Sequence, residues 1–241
     1  VAWPEITAPR CVVNNGFNFD IWDPAPERSN EVLCVARCAP EKGILEAAQA
    51  VVAALPAFPE WRARFILSNI SDHPAYAEKV REVLSGLGAR GVLEVQRPFA
   101  EIKAANEHAA IALVPSSWTE PFGRTALEAH AGGAALISSG SGGLSEISGK
   151  TALMVPAVTA EAIAAATERL ITDVELRERL AREGMAQVRE HFDIAVQAAR
   201  MDAFYCAVAS GEPAVATDVS QKLSVSAARV GGWGNDSLCS C

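Results

Sequence analysis

The chain has no apolar run approaching the ~20 residues of a membrane-spanning helix, although half of its residues are hydrophobic. It has no cluster of Lys and Arg either. Its 21 basic residues are outnumbered by 29 acidic ones, for a formal charge of −8. That balance repels a phosphate backbone, so nucleic acid is not expected as a partner. The six cysteines (Cys11, Cys34, Cys38, Cys206, Cys239 and Cys241) include no Cys-x-x-Cys pair and no zinc spacing. Reduced thiols in a cytoplasmic protein are therefore expected, with Cys34 in an apolar run as a core residue. His73, His108, His130 and His191 share no spacing that would build a metal or catalytic cluster, and no metal site is expected. The G-x-G-x-x-G dinucleotide fingerprint is missing too. Gly140-Ser-Gly-Gly143 follows an apolar run but the pattern fails at Ser145, which argues against a nicotinamide dehydrogenase. Val1-Ala-Trp-Pro4 lacks signal-peptide character and an initiating Met, and is read as the start of a fragment or processed product.

What is present is an alternation. Short β-rich runs at 31–37, 64–69, 92–96, 111–115, 134–138 and 152–155 alternate with helical patterns at 42–55, 74–87, 99–107, 122–131, 144–148, 160–171 and 173–190. Several of the runs are apolar throughout, as strands covered on both faces must be. The pattern predicts an α/β fold: a single Rossmann-like, doubly wound domain with a mostly parallel six-stranded sheet. The expected organisation is a lead-in loop over residues 1–25, a ligand-binding Rossmann-like domain with C-terminal helices over 26–210, and a mobile tail over 211–241. In doubly wound sheets ligands bind beyond the carboxyl ends of the strands. That is where Arg37, Ser116–Glu120 and Ser139–Gly143 would fall.

The most telling segment is Ser117-Trp-Thr-Glu-Pro-Phe-Gly-Arg-Thr-Ala-Leu-Glu-Ala129. Pro121 suits a first helical position, so a helix is expected to start near Phe122. The N–H groups of Phe122, Gly123, Arg124 and Thr125 would then lack partners and offer an anion site. Gly123, without a Cβ, would let a ligand come close. Glu120 would precede the helix and Glu128 would lie about 10 Å along its axis. Carboxylates accept hydrogen bonds from paired hydroxyls, so the arrangement suits a ligand with hydroxyls at both ends and phosphates between. Glycoside hydrolysis fits less well, since its two carboxylates flank one bond at about 5–9.5 Å. Each residue also has a plain structural reading: Glu120 as a helix-start charge, Glu128 as an exposed helix residue, and Trp22, Trp61 and Trp118 as packing residues, with lining of the ligand pocket as the alternative for Trp118.

Read together, these segments resemble the C-terminal domain of retaining glycosyltransferases with the two-Rossmann-domain (GT-B) architecture, family 4, the group 1 glycosyltransferases. Five segments match in order: Asn15-Gly16 with Trp22-Asp23-Pro24; Val35-Ala-Arg37 through Pro40-Glu-Lys-Gly43; Val114-Pro-Ser116 through Ala131, with its E-x7-E spacing; Leu136-Ile-Ser-Ser139 with Gly142, Gly143 and Glu146; and Thr151–Pro156. The departures are Asn18 for a usual Asp, Arg124 for Leu, Ala135 for Pro, His130 for Met, and Arg97 where Gly is frequent. Arg97 and Arg124 bear on the nucleotide pocket.

The resemblance implies a role for each residue. Arg37 and Lys42 would neutralise the donor diphosphate. Glu120 would hold hydroxyls of the transferred sugar, with these three as the catalytic set. Phe122, Gly123, Arg124, Thr125 and Glu128 would bind the rest of the donor, Glu128 through the ribose hydroxyls. No cofactor is implied; the donor substrate would be a nucleotide diphosphate sugar, its base contacts near Val95–Phe99. The acceptor (glycan, lipid or small molecule) is open, and the N-terminal half that would bind it has no counterpart here. A cytoplasmic enzyme, free or peripheral at the inner face of the membrane, is expected. Two other functions stay open: a standalone sugar-nucleotide-binding module and a sugar-nucleotide epimerase of the same architecture.

Overall fold

The computed structural model describes residues 11–210. The expected mobile tail, with Cys239 and Cys241, lies outside the described residues. The chain divides into a compact unit, Asn14–Ala199, and a second unit, Val1–Val13 with Arg200–Cys241. Of the second unit the described part consists of residues 11–13 and the helical residues 200–210.

In the first unit, strands β1 (Ser29–Arg37), β2 (Arg62–Ser68), β3 (Gly91–Val95), β4 (Ala109–Val114), β5 (Ala135–Ser138) and β6 (Ala152–Met154) form one sheet in the order β3-β2-β1-β4-β5-β6. Every pairing is parallel, so the expected doubly wound α/β architecture is what the chain adopts. The helices are α1 (Ile44–Ala54), α2 (Pro74–Ser85), α3 (Phe99–His108), α4 (Arg124–Ala131), α5 (Gly143–Ser148), α6 (Ala160–Thr172), α7 (Val174–Phe192) and α8 (Ile194–Ser210), the last running on into the second unit.

Successive side chains of a strand face opposite ways, and β1 shows the consequence. Val32 and Cys34 enter a core shared with α1, α2 and α6, whereas Leu33 joins Ile66 and Ala105 on the other face. A third cluster packs α4, α5 and the end of α7 against β4 and β5. Strands covered on both sides must be apolar throughout, and β4 is buried at every position.

The lead-in loop does more than connect. Phe19 and Trp22 are buried, and Phe17 stacks on Trp22 with ring centroids 5.6 Å apart. Phe17 N–H donates to Phe192 at 2.8 Å and its carbonyl accepts from Ile194 at 3.0 Å. The segment is thereby sewn to the α7–α8 junction, with aromatic burial that its loop-like composition hid. Trp61 is buried as expected, but Trp118 is 57% exposed. It occupies a loop beyond β4 with no apolar layer over it, so the packing reading of Trp118 is corrected.

Candidate active site

The strand order reverses between β1 and β4, and this switch point opens a crevice at the carboxyl ends of the strands. A cavity of about 210 Å³ lies there. Six of the eight residues singled out from sequence line it: Arg37, Lys42, Glu120, Gly123, Arg124 and Thr125. Phe122 and Glu128 are not on its wall. The Phe122 ring packs edge-on against Phe192, centroids 5.9 Å apart. Glu128 sits deeper on α4, buried, its Oε1 accepting from Arg124 Nε at 2.9 Å. Cys34 forms part of the floor. Burial pushes its thiol up to about 12, so it is a neutral wall group rather than a nucleophile.

Three loops build the site, and backbone contacts lock them together. After β1 the chain makes a 3-10 turn, Pro40–Lys42, ended by Gly43 at φ +65°. A Cβ on Gly43 would lie 2.2 Å from the Pro115 carbonyl oxygen, so only glycine lets the first loop come this close to the end of β4. The Glu41 carbonyl completes the lock. It accepts from Ser117 N–H (2.9 Å), Trp118 N–H (3.3 Å), Ser116 Oγ (3.2 Å) and Ser117 Oγ (3.1 Å). From the other side, Gly143 N–H donates to the Glu120 carbonyl at 2.7 Å, and Ser139 Oγ donates to the Ser116 carbonyl at 2.6 Å. Gly142, at φ +61°, has no room for a Cβ, which would lie 2.4 Å from Glu120 O. The Gly-rich turn thus borders the site as a clamp on the Glu120 backbone.

With the loops held this way, Lys42 Nζ meets Glu120 Oε1 across the crevice, both side chains largely sheltered. Arg37 pairs with Glu41 at 2.9 Å in the open. The Glu41 carboxyl is held below its ordinary range, chiefly by a hydrogen bond from its own backbone N–H and further by Arg37. Glu41 is the residue sequence reasoning passed over. Its side chain looks like one more surface acid, and the carbonyl that matters carries no sequence signature.

The start of α4 departs from expectation in detail. The helix begins at Arg124, with Gly123 as N-cap in the left-handed region (φ +95°, ψ 47°). A residue in that conformation cannot continue a helix backwards, so Pro121 and Phe122 lie outside it rather than in its first turn. The expected free donors nonetheless occur: among the described residues the N–H groups of Phe122, Gly123, Arg124 and Thr125 find no acceptor. Gly123 lies on the cavity wall, and its missing Cβ also serves the backbone and helix packing. A Cβ there would meet Leu144 Cδ2 at 2.6 Å, and the left-handed backbone at φ +95° strains any side chain. Arg97 is engaged elsewhere, its Nε donating to Glu94 at 2.8 Å. Among the described residues no cluster of three His, Cys, Asp or Glu could hold a metal ion, and no helix is long and apolar enough to cross a membrane.

A helix start with free amides, three cations and a carboxylate, set at the switch point of a six-stranded parallel sheet, define a Rossmann-like domain of the kind found as the C-terminal half of GT-B proteins. Residues 29–173 match the family model for glycosyl transferases group 1, and the chain belongs to that family. It is 27% identical over 216 residues to a lipopolysaccharide core biosynthesis mannosyltransferase, LpcC, of Rhizobium leguminosarum bv. viciae, covering 83% of this chain and 60% of that protein. Against the next two relatives the chain spans about half of their length, 50% and 49%. Among solved structures it resembles the C-terminal domain of a group 1 glycosyl transferase (LpcC) from Francisella tularensis, with TM-score 0.66, 24% identity, 74% of this chain covered and 100% of that one. It shares its fold with Anabaena HepE, solved with UDP and glucose, at TM-score 0.69 and 19% identity over 81% of this chain and 56% of that one.

Proposed function

We propose that this chain is the donor-binding domain of a retaining hexosyltransferase and holds a nucleotide diphosphate sugar in the β1–β4 crevice. The observation that carries the reading is the Lys42–Glu120 contact beside the free amides of α4: a cation and a row of N–H donors for phosphate next to an acceptor for sugar hydroxyls. The HepE structure with UDP and glucose supports it by analogy of fold.

In this reading Arg37 and Lys42 bind the diphosphate, and Glu120 exchanges its lysine for hydroxyls of the transferred sugar. Phe122 to Thr125 contribute backbone donors, and Glu128 takes the ribose hydroxyls. Transfer breaks the bond between the anomeric carbon and the leaving phosphate oxygen and forms one to an acceptor oxygen on the same face. The acceptor proton passes to the departing phosphate. Arg37 and Lys42 offset the charge that grows on that phosphate, which is where fixed cations act most strongly. The reading needs no cofactor or metal. The acceptor would be placed by a further half corresponding to the part of the relatives that this chain does not span, so the chain alone would bind donor and turn it over weakly.

The test is calorimetric titration with UDP-, GDP- and ADP-sugars, followed by a transfer assay. Binding of one donor class, weakened by K42A and by E120A, is expected. Absence of binding to every class, or efficient turnover by the chain alone, would overturn the reading in its first or second part respectively.

A further inference from the structure

Each cation on the cavity wall is paired with a carboxylate, and one pair differs from the others. Arg37–Glu41 is exposed on both sides, 48% and 36%, and Lys42–Glu120 is sheltered on both, 20% and 12%. Arg124–Glu128 is split: the arginine side chain is 71% exposed and the glutamate side chain only 9%. Arg124 is the first residue of α4 and lies on the cavity wall, with Glu128 one turn deeper. Its Nε donates to Glu128 Oε1 at 2.9 Å. Among the described residues, neither Glu128 Oε2 nor the two Nη groups of Arg124 takes a further hydrogen bond.

A carboxylate so deep is expensive to keep charged. Burial pushes Glu128 toward its protonated form, and Arg124 opposes that. A guanidinium is suited to the task because it carries donors on separate edges of a rigid plane. One edge can hold an acid while the other binds a second anion, which neither leucine nor a point charge can do.

We propose that Arg124 determines donor specificity. Through Nε it fixes the Glu128 carboxyl with Oε2 left unpaired for the ribose hydroxyls, and through its Nη groups it bonds the diphosphate, so that ribose and phosphate recognition are coupled through one side chain. This rests on the donor-site reading above. It makes the site selective for ribonucleoside diphosphates over their 2′-deoxy counterparts, and it makes that selectivity depend on residue 124.

The experiment titrates the chain and its R124L and R124K variants with UDP, ADP and GDP, and then with the 2′-deoxy form of whichever binds. Arg124 is largely exposed, so R124L should fold; R124K keeps the charge and guards against a merely structural loss. Wild type is expected to prefer the ribonucleotide by roughly tenfold, about the worth of one charge-assisted hydrogen bond. In R124L the diphosphate should bind roughly tenfold more weakly and the ribose preference should shrink to near unity, with R124K intermediate in both. Equal ribose preference in wild type and R124L overturns the role of Arg124 and leaves the donor site standing. Tighter binding by R124L overturns it as well, because Arg124 would then be an obstacle rather than a bridge. Failure of the wild type to bind any of the three diphosphates removes the donor-site reading and this inference together.

Discussion

Lys42 Nζ and Glu120 Oε1, 78 residues apart in sequence, are hydrogen-bonded across the gap between the ends of β1 and β4. Neither element brings them together alone. The 3-10 turn presents Lys42, the loop before α4 presents Glu120, and the Glu41 carbonyl ties the two loops into one unit.

Replacing either member should weaken donor binding and cost some stability. Both side chains are mostly sheltered, so the survivor is left as a partly desolvated charge, at about 1–3 kcal/mol. The double variant should cost less than the sum of the singles, because the pair interacts directly. Calorimetry for affinity and urea denaturation for stability check both. Strictly additive losses would mean that the contact contributes nothing.

Gly43→Ala should be costly although the residue is a loop glycine. The added methyl group would fall 2.2 Å from Pro115 O, with φ at +65°. About 2 kcal/mol or more is expected from overpacking combined with a left-handed backbone. Because the loops must part, donor affinity should fall with stability. A neutral Gly43→Ala would show that the two loops are not locked.

Glu41→Ala should behave oppositely. The Arg37–Glu41 pair is more than a third exposed on both sides, so stability should change by less than about 1 kcal/mol. The four-fold contact is made by the Glu41 backbone, which the substitution leaves in place. With its intramolecular partner removed, Arg37 should bind diphosphate somewhat more tightly, by roughly two- to threefold. Weaker binding in a calorimetric titration would instead place the Glu41 carboxylate among the groups that hold the donor.

His130 should make the protein acid-sensitive. It is fully buried on α4 against Gly184, neither ring nitrogen has a partner among the described residues, and burial lowers it from 6.5 to about 4. The unfolded chain takes up the proton first. Stability is therefore unaffected above pH 6.5, falls as pH drops from there toward 4, and levels off below, losing about 3 kcal/mol if no other group intervened. Glu128, raised by its own burial, acts in the opposite sense, so the informative quantity is a difference. His130→Met, about the same size and without polar nitrogens to bury, should be at least as stable at pH 7. Its stability between pH 4 and 6.5 should be nearly flat beside that of the wild type, as read from urea midpoints across pH.

All six strands lie within about two residues of their apolar runs. An apolar run of that length, covered by helices on both sides, has few alternatives. The position of α4 was less readable. Pro121 reads locally as a helix start, yet the helix waits for Arg124 because Gly123 is packed against Leu144 in a left-handed turn. Trp118 shows the same limit, since its size predicts packing and its loop offers nothing to pack against.

The sequence by itself determined the sheet, the order of helices and strands, and the residue types of the site, because these follow from periodicity and from local chemistry. The tertiary structure alone decided which residues meet. It set Lys42 on Glu120, gave Arg124 to Glu128, left Phe122 against Phe192, and made the Glu41 carbonyl and Gly43 the fasteners of the crevice. The physical reason is that these contacts join loops tens of residues apart through backbone atoms and the space of a missing Cβ, and neither feature carries a side-chain signal that a sequence can display.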